Sequence, residues 1–248
     1  MRIIISPAKK MNVDTDSFPI GGLPLFLPQA EHVLAALQAM SPQELQKLWK
    51  CNDNIAKQNV ERLKAMDLRH NLTPAILSYQ GLQYRYMAPG VMDARQLDYL
   101  QGHLRIVSGF YGLLRPFDGV TPYRLEMQAK LSVDEEKDLY SFWGQRLAKR
   151  LMEESGFVLD LASQEYSRGV APYLPKTQIL TCVFGQWSNG KVREKGALCK
   201  MARGQMARWM AENEIENPKD IRAFSQLNYR FCPELSSKNQ YVFLQPDS

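Results

Sequence analysis

Hydrophobic and polar positions divide the chain into short, differently phased segments. Ile3-Ile4-Ile5 is an unbroken β-branched run and predicts a short, fully buried strand over residues 2–6. It stops at Ser6-Pro7-Ala8-Lys9-Lys10. Residues 13–28 hold Pro19, Gly21, Gly22, Pro24 and Pro28 and predict an irregular surface connection. Ser41-Pro42-Gln43-Glu44 has the form of a capping box with proline in the first turn. The helix it starts turns Leu45, Leu48 and Trp49 inward, and a second helix over 52–66 carries Ile55, Val60 and Leu63. Ala75-Ile76-Leu77 reads as a short strand. Asp93 caps a helix with Leu97, Leu100, Leu104 and Val107 at spacings of three and four, ended by Ser108-Gly109. Leu139, Phe142, Trp143, Leu147 and Leu151 make another amphipathic stripe, closed by Gly156. Strands are predicted over 157–161 and 178–184. Ser188-Asn189-Gly190-Lys191 then makes a hairpin turn into a polar return strand at an edge. A last helix spans about 198–212. Strands and helices interleave without a regular βαβ period, a repeat or a long linker. The expected architecture is one mixed α/β (α+β) domain over residues 1–248, with a core of short strands enclosed by helices.

Composition leaves that picture intact. Of 248 residues, 45% are hydrophobic and 23% charged, which is ordinary for a globular chain with a large core. No apolar run approaches the roughly 18 residues of a membrane span, and the opening isoleucines are too few for a signal peptide. A cytoplasmic protein is expected, with no membrane partner. Cys51, Cys182, Cys199 and Cys232 lie far apart and read as reduced thiols, not as a disulfide frame or zinc site. His32, His70 and His103 have no ligand-like spacing, so no metal or cofactor is expected. No phosphate-binding loop, dinucleotide fingerprint or serine elbow is present.

The net charge of +5 is mild, but its distribution is uneven. Ser6-Pro7-Ala8-Lys9 can form a capped turn whose free N–H groups and lysine favour an anion, or simply a strand-to-helix corner with solvated lysines. His103–Arg124 carries Arg105, Arg115 and Arg124 against one acid, Asp118. Within it, Gly109-Phe110-Tyr111-Gly112 is a glycine turn that would let the backbone approach a phosphate. A turn between packed elements is the alternative, and Pro116 leaves little room for a second helix. Lys191–Arg208 holds six basic residues, among them Lys200 and Arg203, which share the helix face opposite Leu198, Ala202, Met206 and Trp209. Those two either grip phosphate or form a solvated face. On a strand, Arg124 and Glu126 would point the same way and pair.

The segments SPAK, SGFYGLLRPFDGVTPYRLEM, DLYSFWG, LDLASQEY and CKMARG occur in the order seen in the YaaA family of bacterial peroxide-stress proteins, which the chain resembles from Met1 to about Phe243. The resemblance implies a mixed α/β fold of unusual topology, a helix-hairpin-helix-like element and a positively charged cleft. It also implies binding of double-stranded DNA, and a part in limiting unincorporated iron and oxidative DNA damage under hydrogen peroxide. By motif match, the cleft candidates are Lys9, Arg124, Glu126, Lys200 and Arg203. The hairpin candidates are Gly109 and Gly112, flanked by Arg105 and Arg115.

Two functional readings stand. The first is a stress protein that binds duplex DNA and is not an enzyme. The second is an enzyme acting on a nucleotide or other small phosphorylated molecule in the same cleft, with Glu126 and Lys9 as its reactive groups. Either reading places Lys9 at the mouth of a cleft facing Arg124, Lys200 or Arg203, with Lys10 a solvated neighbour.

Overall fold

Ile3, Ile4 and Ile5 are completely buried, and the strand they form is flanked on both sides, which is why an apolar run without alternation suits it. The computed structural model describes residues 1–246. In chain order they form β1 (Arg2–Ile5), β2 (Lys10–Met11), α1 (Leu27–Gln38), α2 (Pro42–Trp49), α3 (Asp53–Lys64), β3 (Thr73–Pro74), α4 (Ala75–Ser78), β4 (Tyr79–Gln80), α5 (Leu82–Met87) and α6 (Ala94–His103). The second half continues with β5 (Leu104–Ser108), β6 (Gly112–Leu114), β7 (Gly119–Val120), α7 (Leu139–Trp143), α8 (Arg146–Glu154), β8 (Val158–Asp160), α9 (Gln164–Ser167), β9 (Ile179–Ser188), β10 (Lys191–Arg193), α10 (Gly196–Glu212), β11 (Arg230–Phe231) and β12 (Gln240–Gln245). Among these elements no helix is long and apolar enough to cross a membrane.

The main sheet has the order β11-β12-β9-β8-β1-β5-β6, with β10 paired to β9. Strands β12, β9, β8, β1 and β5 are parallel; β6, β10 and β11 are antiparallel additions. Along the sheet the chain leaves β1 toward β5 on one flank and leaves β8 toward β9 on the other. The crevice between the C-terminal ends of β1 and β8 is therefore a topological switch point, where open α/β sheets bind ligands. One hydrophobic cluster extends from Ile3 to Phe243, and α10 packs against α5, α6 and β9. This is the mixed α/β arrangement the sequence predicts.

Several local expectations change. The predicted helix from Asp93 ends at His103, because Leu104–Ser108 is a fully buried strand beside β1. Ala75–Ser78 is a helical turn and not a strand. The stripe from Leu139 to Leu151 is two helices, broken at Gly144, whose φ is +47°. A twelve-residue helix, α1, begins inside the segment read as irregular. The Ser41 capping box forms as predicted, and α2 and α3 make a helical hairpin joined by Lys50, Cys51 and Asn52. Lys50 takes the left-handed conformation there, and the Asn52 side chain caps α3.

The glycine turn at 109–112 is not part of a helical hairpin. It joins β5 to β6 as a β-hairpin inside the core, with Phe110 and Tyr111 fully buried. Gly112 has φ +73°, and a Cβ on it would lie 2.7 Å from the Trp143 ring, while the Trp143 indole N–H donates to the Gly109 carbonyl at 2.9 Å. These glycines serve close packing.

Candidate functional site

The switch-point crevice opens into a cavity of about 630 Å³. Residues Ser6–Lys10, which follow β1, form one side, and Ser163–Tyr166, which follow β8, form another. The two segments are tied together: the Ser163 N–H donates to Ser6 Oγ at 2.8 Å, and the hydroxyls of Ser6 and Ser163 lie 3.2 Å apart. From α5, the Tyr84 hydroxyl donates to the Ser6 carbonyl at 3.0 Å, and Gln83 Nε2 lies 3.4 Å from the same oxygen. The turn after β1 is thus a fixed corner.

Helix α10 brings Lys200 and Arg203 to the cavity wall. It reaches that position because Gly204 lets the helix lie directly on α5. A Cβ on Gly204 would sit 2.0 Å from the Gln83 carbonyl oxygen. Arg203 is largely covered, its Nε is buried without a hydrogen-bond partner among the described residues, and one terminal nitrogen lies 4.0 Å from Glu194. Behind it, Asp160 is buried and accepts from the Ala162 N–H at 2.9 Å and the Ser167 hydroxyl at 2.5 Å; burial raises its pKa despite those bonds and the charge of Arg203.

Lys9 reaches Glu126, with Nζ and Oε1 2.7 Å apart. Glu126 also borders a second hollow of about 440 Å³, lined by Lys47 and Lys50 of the α2–α3 hairpin and by Lys130. Glu165 lines the first cavity and accepts from the Gln128 N–H at 3.2 Å. Burial, with the nearby Glu126 charge, raises the Glu165 carboxyl above its usual range.

Of the residues singled out in the sequence, Lys9, Glu126, Lys200 and Arg203 line one cavity. The Lys9 side chain is mostly exposed and its ammonium pairs with the Glu126 carboxylate; Lys200 and Arg203 line the same cavity, and Arg124, expected to face Lys9 there, does not. Arg124 stands in irregular, non-strand chain two residues from Glu126 and outside the lining, with its Nε buried and unpartnered among the described residues; the expected Arg124–Glu126 pair is replaced by Lys9–Glu126. Arg105 is buried on β5, where its guanidinium pairs with Glu154 at 2.7 Å beside Arg2. Arg115 holds buried Asp118 at 2.9 Å. Gly109, Gly112 and Arg105 lie in the core and present no surface to phosphate, whereas Arg115 is exposed but has its guanidinium engaged by Asp118. The lysines of the α2–α3 hairpin went unnoticed in the sequence; their signal was the Ser41 and Asn52 caps, set with only three residues between two helices.

The family profile described as "Peroxide stress protein YaaA" matches residues 1–235. Among similar proteins, a "UPF0246 protein" of Agathobacter rectalis is 50% identical over 98% of both chains. One of Lachnoclostridium phytofermentans is 49% identical over 100% of this chain and 98% of its own, and one of Pediococcus pentosaceus is 48% identical over 99% and 98%. Matched by that profile over residues 1–235 and by those relatives over nearly its full length, the chain belongs to the YaaA family of peroxide-stress proteins.

Proposed function

We propose that this chain binds double-stranded DNA during peroxide stress and so helps limit oxidative DNA damage and the pool of unincorporated iron. The observation that carries the reading is a cluster of cations in two adjoining hollows that share Glu126. Lys200, Arg203 and Lys9 line the switch-point cavity, and Lys130, Lys47 and Lys50 line the adjoining hollow beside a helical hairpin. The helix-hairpin-helix-like element implied by the family resemblance is assigned to α2–α3, with phosphates running from that hairpin toward the cavity. Such contacts are sequence-independent. No iron site is proposed, since no group of three or more His, Cys, Asp or Glu is placed to hold a metal among the described residues.

Binding to a labelled duplex across a salt series tests this. With about five phosphates neutralised, log affinity falls against log salt with a slope near −4.5. Lys200→Ala combined with Arg203→Ala weakens binding to all sequences alike and flattens the slope by about two. No binding at low salt, or binding indifferent to salt, overturns the reading. A second reading, turnover of a small phosphorylated molecule, is favoured by the concave form of the cavity and by its two carboxylates, Glu126 and Glu165. Glu126→Gln separates the two, sparing or strengthening DNA affinity in the first and abolishing turnover in the second.

A further inference from the structure

A duplex groove binder needs a charged surface, yet this cleft ends in a walled cavity. Its size, about 630 Å³, lies in the range of small-molecule sites, roughly 300–1,000 Å³. Its walls differ in chemistry. Lys200 and Arg203 line it together with Lys9 and the carboxylates Glu126 and Glu165, Glu126 being paired with Lys9, and the buried Arg203 Nε lacks a partner among the described residues. Pro7, Leu82 and Tyr166 supply apolar surface, and Gln164 supplies amide hydrogen-bonding groups. The floor is held by the Ser163–Ser6 and Tyr84–Ser6 hydrogen bonds, so the cavity is formed before anything enters it. The hollow bearing Lys47, Lys50 and Lys130 shares Glu126 with it, so a strand lying over those lysines ends at the cavity mouth.

We infer that the cavity receives a single nucleotide unit, its phosphate on Lys200 and Arg203 and its sugar and base against Pro7, Leu82, Tyr166 and Gln164. The inference rests on the phosphate-binding reading of the cleft and goes beyond it by naming one nucleotide as the occupant. The unit has two sources, a free nucleoside monophosphate or an unpaired nucleotide of a bound DNA strand. A paired base must break its pair and leave its stack, whereas a nucleotide opposite an abasic position has no pair to break and is extruded at lower cost, so the second source predicts tighter binding at such a position.

The test uses the full chain and two titrations. In one, nucleoside monophosphates are added and binding is read by calorimetry. In the other, a duplex carries 2-aminopurine opposite an abasic position, its fully paired counterpart is the control, and the fluorescence of the unstacked base is followed with affinity. If the nucleotide comes from DNA, the abasic duplex binds about tenfold tighter than the paired one and 2-aminopurine emission changes on binding. If it is free, the monophosphates bind and the two duplexes bind alike. Gln164→Trp adds bulk without altering charge, and Gln164→Glu adds a charge that repels phosphate. Both remove the abasic preference or the monophosphate binding, with thermal melting confirming the fold. The inference is overturned if the paired duplex binds, the abasic one shows no preference and no monophosphate binds, or if both Gln164 variants leave the responses unchanged. Failure of every duplex and every monophosphate at low salt instead overturns the phosphate-binding reading beneath it.

Discussion

Glu154 shows what single residues contribute away from the cavity. It is largely covered and faces three arginines: Arg105 at 2.7 Å, Arg150 at 2.9 Å and Arg2 at 3.0 Å. Burial alone would raise its pKa, but the charge of Arg105 and the hydrogen bonds from the arginines outweigh it and hold the carboxyl below its usual 4.5. A carboxylate with a lowered folded-state pKa contributes stability that is complete above pH 4.5 and lost as pH falls through the folded value. Glu154→Gln leaves buried Arg105 without its counter-charge, at a cost of about 3–5 kcal/mol at neutral pH. Urea denaturation of both proteins as a function of pH checks this, the difference shrinking below pH 4.5. Gly204 acts through space alone. Gly204→Ala drives a methyl into the Gln83 carbonyl, so α10 must shift from α5. The expected loss is about 1–3 kcal/mol in a thermal melt, together with weaker DNA binding as Lys200 and Arg203 move with their helix.

Among elements, α2 is the one whose loss would speak most directly to DNA binding. Its capping box has Ser41 accepting from the Glu44 N–H while the Glu44 carboxylate accepts from the Ser41 N–H at 2.8 Å. Ser41→Ala frays the helix end at a cost of about 1 kcal/mol. Because Lys47 and Lys50 sit at the other end of α2, duplex affinity then falls less than in Lys47→Ala with Lys50→Ala, measured by anisotropy at fixed salt. The caps at Ser41 and Asp93, the isoleucine run and the Asn189-Gly190 hairpin were legible because each depends on neighbours in sequence. Leu104–Ser108 was not. Leu104 and Val107 also fit a helical period, and it is burial beside β1 that makes the segment a strand. Helix α1 has its own sequence signal, Leu27, Ala30, Val33 and Leu37 at spacings of three and four, masked by the prolines before it. The glycines at 109 and 112 carried the right composition for a phosphate turn, but Trp143, distant in sequence, decides their role. Lys9, Glu126, Lys200 and Arg203 were legible as a set through family resemblance. Their actual pairing, Lys9 with Glu126, joins two distant segments and has no local signature.

At the scale of the whole molecule, the parallel centre of the sheet and its antiparallel additions should differ in how they open. Ile3–Ile5 of β1 and Leu159 of β8 are fully buried, whereas β10 is an exposed three-residue edge. In native-state hydrogen exchange, the β1 and β8 amides are expected to exchange only through global unfolding and those of Lys191–Arg193 through local opening. Residual protection in β10 equal to that of β1 would contradict this. The buried centre also bears on the cavity, because Ser6 and Ser163 follow β1 and β8 and their corner is held by the hydrogen bond from the Ser163 N–H to Ser6 Oγ. Against this fixed corner, the Lys9–Glu126 contact has a consequence of its own. The lysine already holds an anion, supplied by the chain itself at 2.7 Å. An incoming phosphate therefore competes with a tethered rival before it reaches the ammonium. Under the DNA-binding proposal, a phosphodiester gripped at the same time by Lys200 and Arg203 displaces that carboxylate, which a weak monovalent anion does not. On that proposal the contact sets a threshold that favours polyanions engaging several cations at once over single small anions.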